Sequence, residues 1–445
     1  MGSNNLPSSW ASCRVSDVVD SLKGKKPERL TTQPKDGFLP YIDIEAFEKG
    51  VINRFGDAAS SRLGEKGDVL MVWDGARSGL VGQLDREGAI GSTIAILSPL
   101  LDELDRKYLF RFAQSKYDRI NTNTRGTGIP HVDPEFFWNL DFPIAPFNEQ
   151  KRIVAKLEKI LAKVNDAKDR LETIPRILKR FRQSVLAAAC SGRLTADWRK
   201  KNPKTSLPES FKRKLPDEIE LPDTWASVSV GDVITNLKYG TAKKCEHDGK
   251  GVPVLRIPNI GDGVIDHSDL KYATLDKKEL EALRLDVGDI LLIRSNGSVS
   301  LVGKTAIIRK SEIGFAYAGY LIRLRPDQKL VLPEYLNFSF STFDVRLQIE
   351  VPARSTSGVN NINSDEVRKL RIAIGPLSEQ EEIIRRIEKL FKLADTLEAR
   401  YAKAKKFVDK LTQSILAKAF RGDLVPQDPS DEPASELLKQ LQERK

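Results

Sequence analysis

Between Ile383 and Ile415, apolar side chains recur in alternating steps of four and three: Ile383, Ile387, Leu390, Ala394, Leu397, Tyr401, Ala404, Val408, Leu411 and Ile415. The positions 230 residues upstream are apolar without exception: Ile153, Leu157, Ile160, Val164, Ala167, Leu171, Ile174, Leu178, Phe181 and Val185. An unbroken three-four seam predicts a helix that packs along its length on another helix. At 1.5 Å per residue, about 40 residues would reach roughly 60 Å. One such helix could lie on its own globular domain, but two of equal length in one chain predict packing of each on the other. Pro175 removes a backbone donor inside the first helix, so a kink or break is expected there.

Upstream of each seam the pattern changes to short apolar runs bounded by turn residues. Val69–Trp73 and Ile290–Arg294 read as strands opened by a Gly-Asp turn, and Thr93–Leu97 and Leu321–Arg325 as strands soon followed by proline. Asp276-Lys-Lys-Glu279 has capping-box spacing and predicts a short helix. Strands mixed with short helices describe an α+β domain.

The chain is written twice. Leu6-Pro-Ser-Ser-Trp10-Ala-Ser12 returns as Leu221-Pro-Asp-Thr-Trp225-Ala-Ser227 at an offset of 215. Gly67-Asp-Val-Leu70 returns as Gly288-Asp-Ile-Leu291, and Leu80-Val-Gly82 as Leu301-Val-Gly303, both at 221. Tyr108-Leu109 matches Tyr335-Leu336 at 227, while Glu149-Gln150 matches Glu379-Gln380 at 230. The offset only rises, as it does when the second copy carries extra loop residues. The organisation read from this is a first domain at 1–147, a long helix at 148–192 and a linker at 193–220. A second domain at 221–377, a second long helix at 378–424 and a tail at 425–445 complete it.

Charge sharpens the picture. A formal net charge of +10 favours a polyanionic partner through counterion release. No apolar run is long enough to cross a bilayer and no secretory leader is visible at Met1–Trp10, so a cytoplasmic protein is expected, with no membrane partner. Three scattered cysteines, Cys13, Cys190 and Cys245, suit reduced thiols. Cys245-Glu-His247 lacks the further ligands of a zinc site, so no metal is expected.

Catalytic signatures are missing. Gly297-Ser-Val-Ser-Leu-Val-Gly303-Lys304-Thr305 has five residues between its glycines where a phosphate-binding loop needs four, and a turn between strands is the better reading. The chain has no Pro-Pro, which removes the usual amino-methyltransferase tetrapeptide. Asp276-Lys-Lys278 already serves a helix start, and three dispersed histidines make a triad improbable.

This order of domain, helix, domain and helix resembles the specificity subunits of type I restriction–modification enzymes. The residues that carry the resemblance are Gly-Asp-Val/Ile-Leu (67–70, 288–291), Leu-Val-Gly (80–82, 301–303), the Pro-x-x-Glu-Gln helix starts at Pro146–Gln150 and Pro376–Gln380, and the exits Gly192-Arg-Leu194 and Gly422-Asp-Leu424. It spans residues 6 to 424, departing from the family's double proline at Ala145-Pro146 and Gly375-Pro376. The resemblance implies two similar target recognition domains, each reading half of a split, asymmetric sequence in double-stranded DNA. It implies an antiparallel coiled coil between them, with pseudo-twofold symmetry, that fixes the unread gap. It further implies two modification subunits that methylate adenine with S-adenosylmethionine, and motor–nuclease restriction subunits; this chain would bind no cofactor and hold no catalytic centre.

Base reading needs directional groups on loops, whereas phosphate contacts need only positive charge. The candidates in the first copy are Lys23, Lys25, Lys26, Arg77, Ser78, Lys116, Arg119, Asn121, Asn123 and Arg125. In the second they are Lys238, Lys243, Lys244, Arg294, Ser295, Asn296, Ser298, Lys304, Arg354 and Asn360. Two other readings stay open at this point: a coiled-coil adaptor joining two protein-binding domains, and an enzyme with an unrecognised nuclease site.

Overall fold

Gly67 and Gly288 begin the same turn in the two copies, at φ of 96° and 90°, a conformation that glycine adopts without strain. The aspartate that follows closes the turn: Asp68 accepts from the Glu65 amide and Asp289 from the Asp286 amide, both at 2.8 Å. Four fully buried residues then form the central strand, Val69–Val72 in one copy and Ile290–Ile293 in the other. The computed structural model that reveals this describes residues 6–126, 128–207, 221–353 and 359–444.

The chain divides into two units, one of residues up to 172 together with those from 402 onward, the other of residues 173–401. In the first, an antiparallel four-stranded sheet runs in the order Val19–Lys23, Ile94–Pro99, Val69–Val72, Val81–Gln83. In the second the order is repeated with Ile234–Tyr239, Leu321–Pro326, Ile290–Ile293 and Thr305–Ile307. The first unit adds a five-stranded sheet and the second a three-stranded one, each containing one parallel pairing, Tyr41 opposite Ala89 and Val254 opposite Ala316. Each also joins its first strand to the strand before its long helix, Ala11 to Ile144 and Ala226 to Ile374. The predicted capping box forms as expected, Asp276 accepting from Glu279 N ahead of the helix Lys277–Leu283.

Strand register corrects one repeat. Val69 pairs with Gln83, and Ile290 with Ile307, so the strands Val81–Gln83 and Thr305–Ile307 align at an offset of 224. Gly79 and Gly303 occupy one position, donating to Val72 O at 2.8 Å and Ile293 O at 2.7 Å. The Leu-Val-Gly match at 221 is therefore a coincidence of composition, three residues out of register. The predicted inter-strand turn lies between Asn296 and the strand that starts at Thr305, and Lys304 Nζ bonds Asp262 at 2.9 Å.

The long helices run over Phe147–Cys190 and Leu377–Ala419, and Pro175 does not break the first. In the first unit Ile153, Leu157 and Leu161 share a core with Leu416, Ala419 and Phe420, so the start of one helix meets the end of the other. In the second unit Arg182 bonds Asp395 and Glu398, and Arg386 bonds Asp197, so the segments again run in opposite directions. Of the twenty seam residues, Ile153, Leu157, Val164, Leu178, Val185, Ile383, Ile387, Ala394 and Val408 are buried, and Ile160, Ala167, Leu171, Ile174, Phe181, Leu390, Tyr401, Ala404, Leu411 and Ile415 are half-buried. Leu397 is the exception at 42% exposed. At that level contact is made by the fully buried Ala394 and by the Arg182 ion pairs on either side, which leaves Leu397 in part at the surface.

Glu-Gln at each helix start is a buried clamp. Gln150 accepts from Asp105 N at 2.9 Å and donates to Ala145 O at 2.9 Å; Gln380 accepts from Leu332 N and donates to Gly375 O at the same distances. The neighbouring glutamates differ. Glu379 accepts from Trp225 Nε1 at 2.9 Å, from Thr195 Oγ1 at 2.7 Å and from the Arg199 guanidinium. Glu149 accepts from Gln427 at 2.8 Å, while its second oxygen and Trp10 Nε1 are buried without a hydrogen-bond partner. A glycine makes the room for the Trp225 indole. A Cβ on Gly375 would lie 2.5 Å from Trp225 Nε1, and the first copy has Ala145 in that place. Gly375→Ala is expected to cost about 1–3 kcal/mol by overpacking, read as a lower urea midpoint with an unchanged denaturant slope.

The segment after the first helix opens with a 3-10 turn, Arg193–Thr195, and a short helix, Ala196–Lys201. The tail forms a helix, Ala434–Arg444, whose Ala434 and Leu437 enter the first core. Among the described residues no helix is long and apolar enough to cross a membrane, and no group of three or more His, Cys, Asp or Glu could hold a metal. The cysteines form no disulfide, and burial pushes the Cys13 thiol up to about 12.

Candidate nucleic-acid interface

In the first domain the central strand runs out at Trp73-Asp74 into the loop Gly75–Gly79, whose two glycines hold φ of 117° and 88°. Gly79 has no room for a side chain, because a Cβ would lie 2.6 Å from Ile120 Cγ2. Asn121 donates to Ala76 O and Ser78 O, which ties the helix Tyr117–Thr122 to this loop. Asn123 likewise donates to Arg119 O at 2.8 Å. Both amides therefore stabilise backbone.

Ser78 is a correction. It is fully buried and its hydroxyl donates to Gly75 O at 2.6 Å, so it pins the turn and faces no ligand. Its spacing beside Arg77 gave no sign of this, because the carbonyls around it come from Trp73 and Pro130 as well.

Several candidate cations already have carboxylate partners. Lys23 pairs with Asp74 and Arg77 with Glu48, both at 2.8 Å. Arg125 is held by Asp133 and Glu135, and these two carboxylates raise its already high pKa. In the second domain Lys243 pairs with Glu279, Lys244 with Glu246 and Lys304 with Asp262. A cation so paired must exchange one anion for another to bind phosphate, which reduces the net gain.

The candidates without an ion pair among the described residues are Lys25, Lys26, Lys116, Arg119, Lys238 and Arg294. Lys25 and Lys26 are exposed on the loop after Gly24. Lys116 lies 5.1 Å from the Phe112 ring and Arg119 5.7 Å from that of Phe136. Burial, then the nearby Arg119, lowers the Lys116 pKa. Lys238 is half-buried on the strand Ile234–Tyr239.

The second domain gathers Arg294, Ser295, Asn296 and Asn360. Ser295–Asn296 pairs with Asn360–Asn361 as a two-stranded ribbon. Asn360 Nδ2 donates to Gly297 O at 2.9 Å, and Asn296 Oδ1 accepts from Ser298 N at 2.8 Å. The Ser298 hydroxyl lies 2.9 Å from that of Ser300. Arg354 lies outside the described residues. Sequence reasoning missed Tyr239 and Asn361, which hold Arg294, and Asp74 and His131, which bridge at the corresponding place in the first domain. Aligning the copies by strand register instead of by motif would have found them.

Comparison with known proteins agrees with this duplicated architecture. The type I restriction modification DNA specificity domain matches residues 7–176 and 222–406. The chain is 32% identical to the EcoKI specificity subunit of Escherichia coli K12 and 31% identical to the StySPI specificity subunit of Salmonella potsdam. Each comparison covers 97% of this chain and 93% of the relative. The fold is similar to a chain solved in a study of assembly and conformational transition of the type I R-M system, with TM-score 0.69 and 20% identity over 94% of this chain and 99% of that one. It is also similar to the HsdS subunit of Thermoanaerobacter tengcongensis, with TM-score 0.58 and 19% identity over 95% and 99%. The chain thus belongs to the type I restriction–modification DNA specificity family, as a subunit that reads sequence and carries no catalytic activity of its own.

Proposed function

We propose that the two domains each read one half of a split DNA sequence for a complex with two modification subunits and with motor–nuclease restriction subunits. The paired helices set the length of the unread gap, and adenine methylation uses S-adenosylmethionine held by the modification subunits, in the cytoplasm. One observation carries this reading: two domains share one strand order and register while the residues at the end of their central strands differ in chemistry. A shared frame presents each head to the duplex in the same way, and diverged side chains let each select different bases.

The test is to map methylated adenines genome-wide in cells with and without the chain. A two-part motif that vanishes on deletion is the expected result. An unchanged methylation map would reject the reading in favour of an adaptor that never meets DNA.

A further inference from the structure

Backbone hydrogen bonds place Trp73 and Arg294 at one position of the shared frame. Trp73 N donates to Thr93 O and Val132 N to Trp73 O, both at 2.8 Å; Arg294 N donates to Tyr320 O at 2.9 Å and Ile362 N to Arg294 O at 2.8 Å. The side chains there have opposite characters. Trp73 packs against Phe137 and Trp138, and beside it Lys23 and Asp74 neutralise each other. Arg294 is mounted: its Cζ lies 4.7 Å from the centre of the Tyr239 ring, and its Nε donates to Asn361 Oδ1 at 3.3 Å. Tyr239 is itself held, its hydroxyl accepting from Ser364 N at 2.8 Å.

Among the described residues no carboxylate pairs with Arg294, and its two terminal amino groups make no hydrogen bond. A guanidinium lodged over an aromatic ring with its Nε occupied keeps its terminal amino groups as two parallel donors for a ligand. Such a fork fits two adjacent acceptors in one plane, which a guanine edge offers as O6 and N7 in the major groove. A phosphate can accept the same fork, but a phosphate contact carries no sequence information and would not call for opposite side chains at one position of the two heads.

We propose that Arg294 reads one guanine in the half-site bound by the second domain, with Tyr239 as its platform and Asn361 as its positioning residue. The first domain, with Trp73 in the equivalent place, makes no such contact. This rests on the reading of the chain as a DNA specificity subunit.

The test is selection from a pool of randomised duplexes by the full-length chain assembled with its own modification subunits. The wild-type assembly is expected to enrich a two-part sequence. Arg294→Ala should lower the preference for guanine at one position of one part by about tenfold or more, with the other part intact. Asn361→Ala should weaken the same position to a smaller degree. An unchanged preference, an even loss of affinity across all sequences, or collapse of both parts together would each overturn the role of Arg294 while leaving the broader reading standing. No enriched sequence from the wild-type assembly would overturn both.

Discussion

Glu379→Ala is expected to destabilise the second domain by about 3–5 kcal/mol, the range for removing one partner of a buried charged network. The carboxylate is fully buried and satisfies three donors, the Trp225 indole, the Thr195 hydroxyl and the Arg199 guanidinium. Its loss strands a guanidinium whose side chain is 18% exposed, along with a buried indole N–H. Because these donors come from the segment after the first helix and from the residue just before the strand Ala226–Ser229, the variant should also loosen the start of the second helix. Urea unfolding measures the effect, and a change below about 1 kcal/mol would show that water replaces the network without cost.

Glu149 provides the control. It holds the equivalent position, yet one of its oxygens has no partner within hydrogen-bond distance and burial pushes its carboxyl above the usual range, partly offset by the nearby Trp10 indole, by Gln427 and by Arg152. A carboxyl whose pKa is raised in the folded state favours folding when protonated and opposes it when ionised. Stability therefore falls as pH rises from the unfolded pKa through the folded one. Glu149→Gln is accordingly expected to be neutral or stabilising at pH 7, with any gain fading toward pH 4. A loss at pH 7 as large as that of Glu379→Ala would contradict the asymmetry.

Removing residues 171–177 and 401–407 together is expected to move the target itself. Each deletion takes one heptad, so both seams stay in phase, and each helix shortens by about 10 Å. On the proposed arrangement that distance is worth about three base pairs at 3.4 Å each. Methylation mapping should return both original half-sites with a shorter gap, and the original motif should be lost. Either deletion alone leaves the helices unequal and should abolish methylation. An unchanged gap in the double deletion would mean that the helices do not set the spacing.

The duplication was legible in Trp10 and Trp225, in Gly67-Asp and Gly288-Asp, and in two seams with one rhythm. Strand positions and the Asp276 capping box followed from local chemistry. These features are written over a few neighbouring residues, so a single chain reveals them. The register of the strand Val81–Gln83 with its counterpart was not legible, because Leu-Val-Gly occurs in both copies on different sides of the turn. Nor was the exposure of Leu397, which is decided by Ala394 and Arg182 at that level of the helices.

By itself the sequence determined that there are two copies of one α+β domain, each followed by a long helix with an apolar seam. The tertiary structure alone decided which cations remain available to a ligand. Arg77 is neutralised by Glu48, Lys23 by Asp74 and Lys304 by Asp262, whereas Arg294 is stacked on Tyr239. Ion pairing and stacking act over a few ångströms in space between residues far apart in the chain. A charge read from the sequence therefore carries no record of its partner until the fold supplies one.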